Sequence, residues 1–383
     1  MRAVVCQEGA LEVRDVPAPR PARGQLVLDV LACGICGSDL HARHHADAAA
    51  DAAQAAGYDD LMRPGDAVVL GHEFCGEVEG GGRRWRGPVV AMPMVRAAGG
   101  VHLTGLTTHA PGAYAEQVLV QESLTFAVPN GLAPDAAALT EPTAVALHAV
   151  DRGQVARGRP AIVVGCGPVG LGVVGVLKAR GVRTVVASDP SPARRALARA
   201  LGADVVVDPG EESPFDAAVG AGARFLDAQQ LFGLAVGSME KLRAVPLLPW
   251  QHVFRLAEAA GAGPQGPVVF ECVGVPGILD TLITSAPLAT RVVVVGVCMA
   301  DDVIKPSIAI NKEVDLRFVL GYTPAEFRAA LHLLAEGEID ANVLVSGRVG
   351  LAGVEEAFAA LADPETHAKV LVDPSAPGQL VRT

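Results

Sequence analysis

The chain has 383 residues, 50% hydrophobic but only 4% aromatic, with 43 glycines and 27 prolines; that length exceeds what one core usually serves, so two domains are expected. Lys and Arg number 31 against 42 Asp and Glu, a net charge of −11, which excludes nucleic acid as a partner because no surplus of cations exists to displace phosphate counterions. The seven cysteines (Cys6, Cys33, Cys36, Cys75, Cys166, Cys272, Cys298) are odd in number and scattered, which argues against a disulfide framework and fits a reducing, cytoplasmic setting.

The opening residues read as a first strand and lack the apolar length of a signal segment. Residues 1–32 alternate short apolar runs with turn residues, the pattern of an antiparallel β-rich domain. At its edge, residues 31–41 read Leu-Ala-Cys33-Gly-Ile-Cys36-Gly-Ser38-Asp39-Leu-His41, two thiols, a hydroxyl, a carboxylate and an imidazole in eleven positions. Thiolate sulfur and imidazole nitrogen are what zinc prefers, and three protein ligands with one open position make a catalytic site. Gly71-His72-Glu73 follows a β-branched run, and Glu141 precedes Pro142 just before a helical stretch. The ligand set read from residue types is Cys36, His72 and one or both of Glu73 and Glu141.

The stretch 41–60, rich in Ala, Asp and His, is expected to form a helix or lid, with His44 and His45 solvated. Strands are expected over 74–78 and 88–92, separated by a basic loop (Arg83, Arg84, Trp85, Arg86) read as a solvated hairpin. Residues 97–112 read as a Gly/Thr/His loop, 112–120 as strand, and 136–150 as helical, with His148 a packed or capped residue.

Ala161 to Val164 then reads as a buried strand, Gly165-Cys-Gly167-Pro168-Val169-Gly170 as a tight turn and 171–180 as a helix. The glycines and prolines of 161–177 break its longest uncharged run, so no membrane span is expected. A second strand, 184–188, ends in Asp189. This order is specific for a dinucleotide: glycines admit the pyrophosphate, the helix N-terminus faces it, and the carboxylate accepts from the ribose hydroxyls. Asp189 would repel a 2′-phosphate, so NAD is favoured over NADP, with Arg194 and Arg195 nearby tempering that preference. The alternation continues through 204–208, 267–272 and 291–296, a doubly wound parallel α/β sheet. Residues 211–264 carry more apolar bulk than one crossover needs and should hold extra helices, serving as a subunit contact, a cover over the cleft or a packed excursion. After the sheet come a strand at 315–320, helices at 324–336 and 349–361, a strand at 369–372 and a polar tail at 374–383.

Together, Cys36-Gly-Ser38-Asp39-Leu-His41, Gly71-His72-Glu73, Glu141-Pro142, the glycine turn and Asp189 resemble the zinc-dependent medium-chain dehydrogenase/reductase family, particularly its sorbitol, threonine and butanediol branch, over nearly the whole length. The resemblance implies a Rossmann NAD-binding domain (144–320) inserted into a discontinuous, β-rich GroES-like catalytic domain (1–143 and 321–383). It implies zinc on Cys36 and His72, with Glu141 and Glu73 as third and exchanging ligands. Asp39 matches the acid that orients the metal-bound histidine, while Ser38 and His41 match a proton relay. Cys33 then falls outside the ligand set. Residues 79–112 contain no cysteine, so one catalytic zinc per subunit is expected and no structural zinc. The activity implied is NAD-linked interconversion of a secondary alcohol (polyol, diol or amino alcohol) and its ketone, in a homodimer or homotetramer. A zinc-free quinone or enone reductase of the same fold and a non-catalytic NAD-binding protein are the rival readings.

Overall fold

The computed structural model describes residues 1–81, 84–97, 99–259, 263–363 and 365–382; Arg83 of the basic loop, Ala98, residues 260–262 of the long segment and Thr383 of the tail lie outside them. The first third folds as short strands because its apolar runs alternate and are cut by Gly and Pro. They are β1 (Arg2–Gln7), β2 (Ala10–Asp15) and β3 (Gln25–Gly34). The Ala/Asp/His stretch forms two helices, α1 (Gly37–His44) and α2 (Ala46–Ala55), before β4 (Val68–Val69), β5 (Glu73–Val78) and β6 (Val89–Ala91). The expected loop at 97–112 is in part a hairpin, β7 (Met94–Ala97) with β8 (Gly100–Leu103); Gly99 supplies the left-handed turn, at φ +88. The strand expected from residue 112 begins later, as β9 (Gln117–Gln121), and is followed by β10 (Thr125–Ala127), α3 (Pro134–Ala138) and α4 (Thr140–Gly153).

Strands and helices then alternate: β11 (Ala161–Val164), α5 (Pro168–Ala179), β12 (Val185–Ser188), α6 (Pro192–Ala200), β13 (Val205–Val207) and α7 (Pro214–Gly220). The long segment continues as α8 (Ala228–Ala244) and α9 (Trp250–Ala259), and no residue of α8 is buried. Next come β14 (Val268–Glu271), α10 (Ile278–Ser285), β15 (Arg291–Val294), α11 (Pro306–Asn311) and β16 (Asp315–Phe318). All six strands are parallel, in the order β13-β12-β11-β14-β15-β16. The order reverses between β11 and β14, and a ligand crevice opens beyond the carboxyl ends of strands at such a point.

The remaining elements are α12 (Pro324–Ala335), β17 (Val345–Val349), α13 (Val354–Ala360) and β18 (Lys369–Val372). The helix expected over 349–361 is thus shorter, because Gly350 and Gly353 separate a strand from it. Strands β17 and β18 join the sheet of the first third, whose path runs β10-β6-β5-β3-β18-β17, with β9 also paired to β3. One apolar core runs from Val90 and Met92 through α3 and α4 to Val163 and Val293. Helix α4 is therefore buried between the two sheets and fixes their mutual placement.

Candidate active site

Strand β3 ends at Gly34, and the chain turns so that Cys36, in extended backbone (φ −98, ψ 155), becomes the N-cap of α1. Asp39, in the first turn, accepts from Cys36 N at 2.9 Å and from the Tyr114 hydroxyl at 2.6 Å through the same oxygen. Its other oxygen lies 3.3 Å from His72 Nδ1, close enough for charge attraction but off the line of a hydrogen bond. Burial alone would raise the Asp39 carboxyl, but His72, Tyr114 and the Cys36 N–H outweigh it and hold it below the ordinary value.

With Nδ1 facing Asp39, His72 presents Nε2 to the other side, 3.0 Å from Ser38 Oγ. Burial disfavours the imidazolium, yet Asp39 and Cys36 raise the His72 pKa well above its usual value. His41, one turn on from Ser38, is half-buried; burial and the neighbouring His45, with ring centroids 6.0 Å apart, lower its pKa. It is therefore a neutral base near pH 7.

The two glutamates part company. Glu73 is fully buried, and both of its oxygens are taken by Lys369 Nζ at 2.8 and 2.6 Å, while the same ammonium donates to Ile35 O at 2.9 Å. The packing is close: a Cβ at Gly34 would lie 2.0 Å from Glu73 Oε2. The structure does not bring Glu73 to the Cys36–His72 pair. Glu141, in the first turn of α4, is pushed up to about 7, chiefly by burial, with His72 opposing and Glu73 adding to the shift. The Tyr322 hydroxyl is a further influence that opposes the rise.

As the side chains stand, no group of three or more His, Cys, Asp or Glu among the described residues is disposed to hold a metal ion. The donor chemistry nonetheless fits zinc. Cys36 and His72 are held to the same buried carboxylate, Asp39, through Cys36 N and His72 Nδ1, and the carboxylate of Glu141, of raised pKa, lies within the electrostatic reach of that imidazole.

At the crevice, Gly165 sits at φ +89, Gly167 is the N-cap of α5, Pro168 and Val169 open the helix, and a Cβ at Gly170 would come 1.8 Å from Gly165 O. Such a turn admits a phosphate where a side chain would stand. Asp189 is buried, accepting from Cys166 N at 2.7 Å and Ser191 N at 2.8 Å. Arg195 braces this loop through Asp189 O, Pro190 O and the Asp208 carboxylate, whereas Arg194 Nε is buried without a hydrogen-bond partner.

Sequence reasoning did not find Tyr114, Tyr322 or Lys369. A signal existed for the first two, since tyrosine occurs only three times in the chain. For Lys369 the signal was a cation opening an otherwise apolar, fully buried strand.

Residues 22–130 match the family model described as an alcohol dehydrogenase GroES-like domain, and residues 168–336 match that of zinc-binding dehydrogenases. The chain is 30% identical over 380 residues to the (R,R)-butanediol dehydrogenase of Bacillus subtilis, covering 95% of this chain and 97% of that protein. The crystal structure of the B. subtilis 2R,3R-butanediol dehydrogenase superposes with a TM-score of 0.71 at 29% identity, over 98% of this chain and 99% of that one. The erythritol/L-threitol dehydrogenase of Mycolicibacterium smegmatis is 33% identical over 239 residues, 55% of this chain and 64% of that protein. A Sinorhizobium meliloti protein solved with NADP has a TM-score of 0.71 at 27% identity, covering 97% of this chain and 99% of that one.

Proposed function

The chain belongs to the zinc-dependent medium-chain dehydrogenase/reductase family, and from that premise we propose that it interconverts a secondary alcohol and its ketone with NAD, on a single zinc held by Cys36, His72 and Glu141. Its class is that of an alcohol dehydrogenase acting on small-molecule alcohols and carbonyl compounds. The observation that carries the finer reading is the gathering of Cys36 and His72 about buried Asp39, which accepts from Cys36 N at 2.9 Å and lies 3.3 Å from His72 Nδ1. Glu73 is left out of the set because Lys369 engages both of its oxygens.

When bound, zinc supplies a Lewis acid that brings the alcohol proton within reach of weak bases, and NAD supplies the hydride acceptor. The chain's own groups do the rest. Asp39, 3.3 Å from His72 Nδ1, favours the tautomer that carries its proton on that nitrogen and leaves Nε2 to the site. Ser38 Oγ, beside His72 Nε2, hydrogen-bonds the substrate oxygen and takes its proton, and neutral His41 accepts that proton toward solvent. The glycine turn from Gly165 to Gly170 seats the pyrophosphate, and Asp189 faces the adenosine ribose. Its carboxylate supports NAD over NADP by repelling a 2′-phosphate, with Arg194 lining the same loop.

A diol, polyol or sugar-derived alcohol is the substrate class, in keeping with the butanediol and threitol dehydrogenases to which the chain is similar. A homodimer or homotetramer is supported by edge strand β16, whose Phe318 and following Leu320 are 65% and 92% exposed. Cytoplasmic residence is supported by seven free cysteines; among the described residues no helix is long and apolar enough to cross a membrane.

The test is a screen of NAD reduction over vicinal diols, polyols and amino alcohols, with zinc content measured on the same sample. Turnover on one of these classes, lost together with zinc in Cys36→Ala, is expected. Zinc-loaded protein that reduces NAD with none of them, or a Cys36→Ala variant that keeps both metal and rate, would overturn the reading.

A further inference from the structure

At the amino-terminal ends of β11, β14, β15 and β16, the opposite end of the strands from the glycine turn, three arginines gather with a single carboxylate. Arg291 opens β15, and Asp315 opens β16 beside it in register; Arg317, two residues on, shares the Asp315 face of its strand. Arg291 Nε donates to Asp315 Oδ2 at 2.7 Å and Arg317 Nη2 to the same oxygen at 3.0 Å. Both also reach the end of α4, Arg291 Nη1 to Gly153 O and Arg317 Nη1 to Arg152 O, each at 2.8 Å. Arg159, in the turn before β11, donates instead to the carbonyls of Gly266, Pro267 and Ala289. Pro267 O accepts the Arg291 backbone N–H as well, at 3.1 Å, so the two arginines share a partner. Burial first, and then Arg291, push the Arg159 pKa down to about 10, with Arg317 adding to the fall and Asp315 opposing it.

Capping of α4 uses only part of this charge. The carbonyl end of a helix counts as about half a negative charge, which with Asp315 leaves a surplus of roughly +1.5 from the three guanidiniums. Donors are left over too. Among the described residues nothing accepts from Arg159 Nη1 or Arg291 Nη2, and neither atom is sealed from solvent. Asp151, the acid in the last turn of α4, is taken by Arg180 at 3.4 Å, and exposed Arg152 and Arg157 add positive charge around the cluster.

We propose that Arg159, Arg291 and Arg317 form an anion site for a phosphate group, inorganic or carried by a small monoester, separate from the dinucleotide crevice. Guanidinium forks match phosphate oxygens in geometry. A phosphate near pH 7 carries about −1.5 to −2, the charge that the cluster lacks, whereas a monocarboxylate would leave part of the surplus unmet. The site does not depend on the reaction proposed above.

The experiment is equilibrium dialysis of the full chain against radiolabelled inorganic phosphate, with NADH at saturation to fill the glycine turn and glycerol 3-phosphate added as competitor. The melting temperature is followed in phosphate and in sodium chloride of equal ionic strength. Phosphate should raise it by about 2–4 °C over the chloride control, and Arg159→Gln should weaken phosphate binding at least about tenfold. Arg159→Lys keeps the charge but loses the fork, so it carries the test if the glutamine variant does not fold, and it too should bind phosphate more weakly. Displacement by glycerol 3-phosphate assigns the site to monoesters, and resistance to it assigns the site to the free ion. Phosphate that acts no differently from chloride, that is lost once NADH is present, or that either folded variant holds at wild-type affinity would overturn the inference.

Discussion

Glu73 is the neighbour of His72 in sequence, yet it is engaged by a lysine from the far end of the chain. With side-chain exposures of 3% for Lys369 and 0% for Glu73, neither charge is tolerable without the other. Removing one partner of such a pair leaves a buried ion uncompensated, at a cost on the order of 3–5 kcal/mol. Lys369→Ala should therefore lower the urea midpoint steeply, and pairing Lys369→Met with Glu73→Leu should recover most of the loss; a small effect of Lys369→Ala would mean that the pair is hydrated. Gly170 makes an independent case. Alanine there would press against Gly165 O, opening the glycine turn, and NADH affinity by calorimetry should fall at least about tenfold, or 1.4 kcal/mol. Unchanged affinity would place the dinucleotide elsewhere.

The elements that sequence resolves best are those whose information is local. The run from β11 through the glycine turn to Asp189 could be placed because strand, turn and helix signals follow one another without interruption. Cys36, Ser38 and Asp39 could be read together because one cap and one helical turn hold them. The partners of Tyr114 and Lys369 were hidden for the opposite reason: Asp39 meets Tyr114 across 75 positions and Glu73 meets Lys369 across 296, and although the rarity of tyrosine and a cation in an apolar strand marked these residues, nothing in the period of a strand or helix encodes such a meeting. The α4–α12 contact has a testable signature of its own. Burial pushes the Glu326 carboxyl up, but the Thr323 backbone N–H, the His148 ring and the Thr323 hydroxyl outweigh it, so its pKa is lowered. A lowered carboxyl contributes stability that is complete above the unfolded value of about 4.3 and is lost as pH falls through the folded value. Glu326→Gln should melt below the wild type at pH 7, by about 1 kcal/mol, and the gap should close below pH 4. A gap that stays constant with pH would show that the charge is immaterial.

At the scale of the whole molecule, the segment 211–264 stands apart. Its first helix, α7, is an ordinary crossover that buries Phe215, Ala217 and Ala218. Helices α8 and α9 follow it before the chain returns to the sheet at β14. Phe232, Leu234, Val236, Leu247 and Leu256 are all more than half exposed. Of the three uses anticipated for this segment, a simple packed excursion is the one an unburied α8 argues against. Replacing residues 226–262 by a short Gly/Ser linker should leave the melting temperature of the remaining fold within a few degrees and NAD affinity intact, because little core is removed. Loss of NAD binding would show that the helices reach the crevice after all.

The pairing of β18 with β3 also dictates an order of events during synthesis. Strand β3 has its sequence complete at residue 34, but its neighbour, with the lysine that neutralises Glu73, is made 296 residues after that glutamate; at about 5–20 residues per second the delay is on the order of 15–60 s. Throughout it, the nascent chain carries an unpaired strand edge and an uncompensated acid in what will become its interior, while the parallel sheet, contiguous in sequence, is free to form. The catalytic half of the molecule is thus the last to mature and the more exposed of the two to intermolecular strand pairing while it waits.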